Sequence, residues 1–262
     1  MMIRYSANIT IMIRAARKAS NYIVRYFLEL EQLQVSVKGQ NDFVTNVDIK
    51  VQEIIHSELN KARTDYGFIM EEGQSEKLDA ENIWIIDPID GTLNFMHGLP
   101  YFAISIGLRI KQKMAAGIVY NPILNELYWA EEGSGAFLND KRLRVSGRKH
   151  LENSVSALGI PFLGRVNHKK HLKMQSNVMN KVAGLRRFGA ASLDLCQVAS
   201  GRVDGFWEEG LSIWDIAAGT IIVKEAGGII SGIDKNENPL DTGNIIAGNP
   251  NVVFALQKVL AS

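Results

Sequence analysis

The chain has 262 residues, 46% apolar and 22% charged, with 29 basic against 28 acidic side chains and a net charge of +1. A chain this long buries roughly 70–75% of its unfolded surface and needs no staples; the even charge gives no electrostatic basis for nucleic acid or membrane as the main partner, and no apolar run approaches the roughly 18 residues that span a bilayer. The one cysteine, Cys196, excludes an intramolecular disulfide, reads as a core residue beside Leu195, Val198 and Ala199, and fits a reducing, cytoplasmic compartment.

Ile9, Ile13, Ala16, Ile23 and Phe27 recur near helical spacing and predict a first helix over residues 8–34. That stretch is basic and free of acids through residue 28, as organelle-targeting peptides are, but an amphipathic helix accounts for the same residues. Residues 39–42, Gly-Gln-Asn-Asp, break the pattern. A second helix beginning at Asn46 or Val47 carries Val51, Ile54, Ile55 and Leu59 on one face, and Asp48 falls in its first turn, where the helix dipole favours a carboxylate. Residues 67–70 read as a strand delivering Glu71, and residues 73–82 as a polar, mobile loop.

Residues 84–95, Trp-Ile-Ile-Asp-Pro-Ile-Asp-Gly-Thr-Leu-Asn-Phe, carry the chemistry. The apolar run is a buried strand, and Pro88 ends its regular ladder where Asp87 and Asp90 appear. Gly91 permits a left-handed backbone, Thr92 adds a hydroxyl and Asn94 ties the turn, so Asp87, the Ile89 carbonyl, Asp90 and Thr92 can converge. Convergent oxygen donors suit Mg²⁺. Taken alone, Asp87-Pro88-Ile89-Asp90-Gly91-Thr92 reads more readily as a turn in which both aspartates cap backbone amides. Glu71-Glu72 upstream and Asp215 after Ile213-Trp214 downstream favour the metal.

Segments 101–110, 115–120, 126–130 and 136–138 read as short strands of an antiparallel sheet, with Gly133-Ser134-Gly135 as a turn. The charged stretch 141–153 divides the chain into lobes 1–148 and 149–262. The second half alternates strand and helix: 155–158, 168–182, 185–188, 192–201, 204–208, 216–226, a strand near 229, 245–247, and a last helix from 251. Spacing by itself predicts mixed α and β. His168 and His171, without a nearby acid or cysteine, read as a solvated helix face; Arg186-Arg187 is either a phosphate contact or a surface pair.

Residues 87–95, with Glu71-Glu72 before them and Trp214-Asp215 after, together with Asp42-Phe43-Val44-Thr45-Asn46-Val47-Asp48 and Glu225-Ala226-Gly227-Gly228, resemble the inositol monophosphatase family of Mg²⁺-dependent, lithium-sensitive sugar phosphatases. The likeness is greatest to bacterial members. It implies a layered α-β-α-β-α sandwich of the type shared with fructose-1,6-bisphosphatase, a homodimer, and two or three Mg²⁺ ions per site. By motif position it assigns Glu71, Asp87 and the Ile89 carbonyl to a first Mg²⁺, and Asp87, Asp90 and Asp215 to a second. Asp48 would meet a weaker third ion or the attacking water. Two metals are what a phosphate monoester demands, since its hydrolysis needs up to ~10²¹-fold acceleration and one general base cannot supply it.

The resemblance also implies that Thr92, with Glu71 or Asp48, orients and deprotonates the water while the Gly91 and Thr92 amides hold phosphate. Glu208, Asp215 and the turn Gly189-Ala190-Ala191 would meet the substrate; Ala190 replaces the hydroxyl residue usual in the family. Asp194 is a ring-hydroxyl partner or a structural cap. The implied reaction is hydrolysis of myo-inositol monophosphate, a small phosphorylated polyol, with fructose-1,6-bisphosphate, 3′-phosphoadenosine 5′-phosphate and histidinol phosphate open. A bacterial relative associates with the transcription machinery, so a binding role beside a retained phosphatase site is the rival.

Overall fold

The computed structural model describes residues 5–29, 35–39, 42–160 and 167–261, with residues 35–39 and 42–44 described by backbone alone. The first helix, α1 (Ala7–Leu28), starts at Ser6, whose side chain accepts from the Ile9 amide at 3.2 Å, and buries Ile9, Met12, Ala16, Ala19 and Ile23. Residues 30–34, where the first helix was predicted to continue, lie outside the described residues. A break between two helices was predicted next; the backbone instead forms an antiparallel hairpin of β1 (Val35–Gly39) and β2 (Asp42–Thr45) that leads into α2 (Asn46–Ala62). Thr45 caps α2, so the strand ends where the helix begins.

A seven-stranded sheet follows in chain order: β3 (Gly67–Met70), β4 (Asn82–Asp90), β5 (Ala103–Ile110), β6 (Lys113–Asn121), β7 (Glu126–Glu131), β8 (Gly135–Leu138) and β9 (Lys141–Arg142), with the short α3 (Thr92–Met96) between β4 and β5. Only β3 and β4 run parallel. Both faces are covered, which is why β4 reads as an unbroken apolar run: Trp84 and Ile86 pack against α1 and α2, while Ile83 and Ile85 face the other way. The polar loop after β3 is anchored rather than loose, because Phe68 and Glu76 exchange backbone hydrogen bonds of 2.8 and 2.9 Å.

The second sheet has the order β11-β10-β12-β14-β13. Its members are β10 (Val155–Leu158), β11 (Gly184–Arg186), β12 (Gly205–Glu208), β13 (Ile229–Ser231) and β14 (Ile245–Gly248), alternating with α4 (His168–Met179), α5 (Ala191–Ala199), α6 (Ile213–Glu225), α7 (Pro239–Thr242) and α8 (Pro250–Leu260). Helices α5 and α6 fill the space between the sheets, and α4 and α8 cover the far face of the smaller one. The result is an α-β-α-β-α sandwich. Helix α6 is buried on every side, and Gly117 on β6 lets it lie close: a Cβ there would come within 2.8 Å of the Ala218 carbonyl oxygen. Cys196 is buried in the middle layer. His171 is not on a solvated face; it is buried against Trp207, ring centroids 5.1 Å apart, and burial lowers its pKa. Among the described residues no helix is long and apolar enough to cross a membrane.

Candidate active site

Residues three apart on a regular strand point to opposite faces, yet β4 presents Asp87 and Asp90 together. The ladder shows why: Asp87 pairs with Ser105 and Asp90 with Ala103, so β4 takes three steps where β5 takes two. Pro88 has no amide hydrogen to pair there; the regular ladder stops at it, as predicted, and the strand runs on through a bulge to end at Asp90. The Ile89 amide donates to Asp87 Oδ1 at 3.0 Å and fixes the carboxylate. Gly91 follows with φ of 91°, and a Cβ on it would sit 3.1 Å from the Ala190 Cβ and the Tyr101 carbonyl oxygen, so both the backbone angle and the space require glycine.

Asp215 enters from the first turn of α6, held because the Ser212 amide donates to its Oδ2 at 2.7 Å. Ligand oxygens of Asp87, Asp90 and Asp215 all lie within 4.8 Å of one another. The start of α5 grips Asp90 from the other side, with the Ala191 amide at 3.2 Å, the Ser192 amide at 2.7 Å and the Ser192 hydroxyl at 2.5 Å. Asn94 joins the two segments: its Nδ2 donates to the carbonyls of Tyr101 at 2.8 Å, Phe188 at 2.9 Å and Gly189 at 3.3 Å.

Glu71 leaves β3 with its amide on the Ile86 carbonyl at 3.2 Å, and its carboxyl group hydrogen-bonds to that of Asp87. Gln52 on α2 clamps the next peptide: its Oε1 accepts from the Glu72 amide at 2.8 Å and its Nε2 donates to the Glu72 carbonyl. One turn earlier, Asp48 accepts from the Thr45 amide at 2.9 Å and from the Thr45 hydroxyl. The Thr92 hydroxyl reaches both Asp48 Oδ1 at 3.1 Å and the Ile89 carbonyl at 3.0 Å, and has one proton to give.

Burial dominates the electrostatics. It raises the Asp87 pKa well above the carboxylate range, and the charges of Glu71, Asp90 and Asp215 raise it further. Asp90 is pushed up to about 6 by burial, against the opposing hydrogen bonds from Ser192 and Ala191. Asp48 is likewise pushed up to about 6 by burial, against the Thr45 hydrogen bonds. Carboxyl groups gathered away from water must keep protons or take a cation.

Glu208 ends β12 and lies beyond the cluster; burial raises its pKa most, followed by the charges of Asp194, Asp215 and Asp90. Asp194, one turn into α5, accepts from the Tyr101 hydroxyl at 2.8 Å, so it has a protein partner. Arg187 faces Asp194 and Glu208 and eases both, while Arg186 donates to the adjacent Leu185 carbonyl at 2.8 Å. Glu71, Asp90 and Asp215 are thus near Asp87, Asp48 is tied to them through Thr92, and Gly189, Ala190, Ala191 and Glu208 lie toward Asp90. Ser192, Gln52 and Tyr101 were not foreseen as supports. Only Gln52 had a signal, its place four residues after Asp48 on a predicted helix.

A model of the inositol monophosphatase family matches residues 5–261. The chain is 50% identical over 256 residues to an inositol-1-monophosphatase of Mesorhizobium japonicum, covering 97% of this chain and 96% of that one. It is also 45% identical over 249 residues to the Nus factor SuhB of Escherichia coli, covering 95% and 93%. Among solved structures, the extragenic suppressor protein suhB from Bartonella henselae superposes with a TM-score of 0.94 at 48% identity, over 97% of this chain and 98% of that one. Fold, acidic cluster and likeness along nearly the whole chain agree, and the chain belongs to the inositol monophosphatase family.

Proposed function

We propose that this protein is a Mg²⁺-dependent phosphomonoesterase that hydrolyses myo-inositol monophosphate to inositol and inorganic phosphate. The observation that carries this reading is the convergence of Asp87, Asp90 and Asp215, with Glu71 against Asp87. Buried carboxylates that repel one another call for a cation, and an all-oxygen donor set with a backbone carbonyl suits a hard one. Asp87, Asp90 and Asp215 would hold one Mg²⁺, and Glu71, Asp87 and the Ile89 carbonyl another, so that Asp87 is shared; Asp48 would serve either a third ion or the attacking water. Bound there, Mg²⁺ supplies an acidified water and neutralises phosphate charge.

The chain's own groups do the rest. Thr92 Oγ1 orients the attacking water and passes a proton toward Asp48 or Glu71; Asp48, with its pKa pushed up to about 6, is suited to accept one near neutrality. The amides of Gly91 and Thr92 hold phosphate oxygens. Glu208 and the turn 189–191 receive the polyol, and the Ala190 methyl offers that polyol no hydrogen bond. Phosphate release from inositol monophosphate, fructose-1,6-bisphosphate, 3′-phosphoadenosine 5′-phosphate and histidinol phosphate, with Mg²⁺ and with chelator, tests the assignment. The highest kcat/KM on inositol monophosphate, abolished by chelator, is expected; a clear preference for another of the four overturns the substrate.

Likeness to the Nus factor SuhB favours a second reading, a binding role toward the transcription machinery alongside catalysis. Native pull-down with wild type and with Asp87→Asn separates the two, since a binding role survives loss of turnover. A cytoplasmic homodimer goes with both readings, and light scattering of the purified protein checks the stoichiometry.

A further inference from the structure

We infer that Gly159, at the outgoing end of β10, is a specificity-determining position: the missing side chain there is what lets Glu208 lie where it can meet the polyol. The inference rests on the reading of Glu208 as a polyol contact.

Strands β10 and β12 are parallel neighbours, with Ala157 beside Phe206 and Leu158 beside Trp207. The ladder continues one step further, as the Gly159 amide donates to the Trp207 carbonyl at 3.3 Å. Alternation sends Trp207 into the outer layer and Phe206 toward α5 and α6, and therefore sends Glu208 to the α5 and α6 side, where Asp194 and Asp215 are. To get there the Glu208 carboxylate crosses Gly159. A Cβ built on Gly159 would fall inside the van der Waals envelope of the carboxylate carbon and of both its oxygens. Gly159 is itself buried, and its φ lies outside the left-handed region, so the backbone angle does not require glycine. The three atoms nearest that Cβ all belong to Glu208, so the requirement comes from the glutamate.

The clash is with the far end of a side chain, which swings away more easily than backbone. Gly159→Ala therefore folds, with Glu208 displaced from the substrate side. The measured quantity is the ratio of kcat/KM for myo-inositol monophosphate to that for a small aryl phosphate without ring hydroxyls. A hydrogen bond to a charged group is worth roughly a tenfold factor or more, so Gly159→Ala lowers this ratio by about tenfold. Glu208→Gln lowers it by a similar factor, and the double variant shows no further fall, because the first change has already removed what the second would remove. A merely structural role for Gly159 would lower both kcat/KM values together.

Gly159→Ala with an unchanged ratio, beside a Glu208→Gln variant whose ratio falls, overturns the inference and leaves the Glu208 reading standing. A Glu208→Gln variant that loses equally on both substrates overturns the Glu208 reading, and the inference with it.

Discussion

On the proposed assignment Asp87 belongs to both metal sets, and its own fixing bond comes from Ile89, two residues away. Asp87→Asn keeps the shape and removes the charge. Turnover should fall by about a thousandfold or more, because the loss weakens the sites that make hydroxide at neutral pH. The metal-free variant should melt no lower than wild type, since one of several mutually repelling carboxylates is gone. Phosphate release at saturating Mg²⁺ and circular dichroism check both; activity within about tenfold of wild type would sink the shared-ligand role. These acids were legible because a carboxylate beside a proline and a glycine is informative wherever it stands. Their supports were not: Ser192 lies 102 residues from Asp90 and Tyr101 lies 93 from Asp194, separations that no local pattern spans.

Helix α2 works as a rail. Asp48 and Gln52 stand one turn apart on it, and the first meets Thr92 while the second clamps the peptide after Glu71. Next on the same face, His56 lies 3.3 Å from Glu76 in the same loop. Gln52→Ala should cost about 1–3 kcal/mol of stability, because it strands a buried amide and a buried carbonyl. It should also raise the Mg²⁺ concentration for half-activation by about three- to tenfold, as supporting residues of metal sites commonly do when removed. Mg²⁺ titration of activity decides this: an unchanged midpoint with a lowered melting temperature leaves Gln52 a purely structural clamp. At this scale α2 and the strands flanking Asp87 were readable from periodicity. The β1–β2 hairpin was not, since strands of five and four residues are too short for a period to stand out from a loop. Helix α6, buried on all sides from Ile216 to Val223, gave no amphipathic stripe either, and its start fell at Ile213, three residues before the predicted one.

For the whole molecule, gathered acids make stability depend on metal and pH. Asp48 and Asp90 are raised from 3.8 to about 6, and Asp87 further. A raised pKa means that the folded protein holds protons the unfolded chain has released, so this contribution is present below about pH 4 and lost as pH rises through about 6. Mg²⁺, binding the folded state alone, opposes the loss. The melting-temperature gap between Mg²⁺ and chelator should therefore widen from about pH 4 to about pH 7; a gap that stays constant speaks against a metal at these acids. Lithium supplies the companion test. Li⁺ is close to Mg²⁺ in size with half its charge, so at Asp90 and Asp215 it would hold phosphate after cleavage without supporting another turnover. Uncompetitive inhibition by millimolar LiCl, absent with equal KCl, is expected. Equal effects of the two salts remove the main support for the second-metal role of Asp90 and Asp215.

The sequence by itself determined the acids, the turn chemistry around Gly91 and the elements with a strong period, because each of those is written in residues close together in the chain. Only the tertiary structure decided that the convergence of Asp87 and Asp90 is made by a bulge in the pairing with β5. It alone decided that α5 closes on Asp90, that Asn94 ties the two segments, and that Glu208 lies across Gly159. The physical reason is the same in each case. Hydrogen bonds and close approaches between distant segments depend on how five layers stack, and stacking is fixed by the whole core rather than by any one stretch of chain.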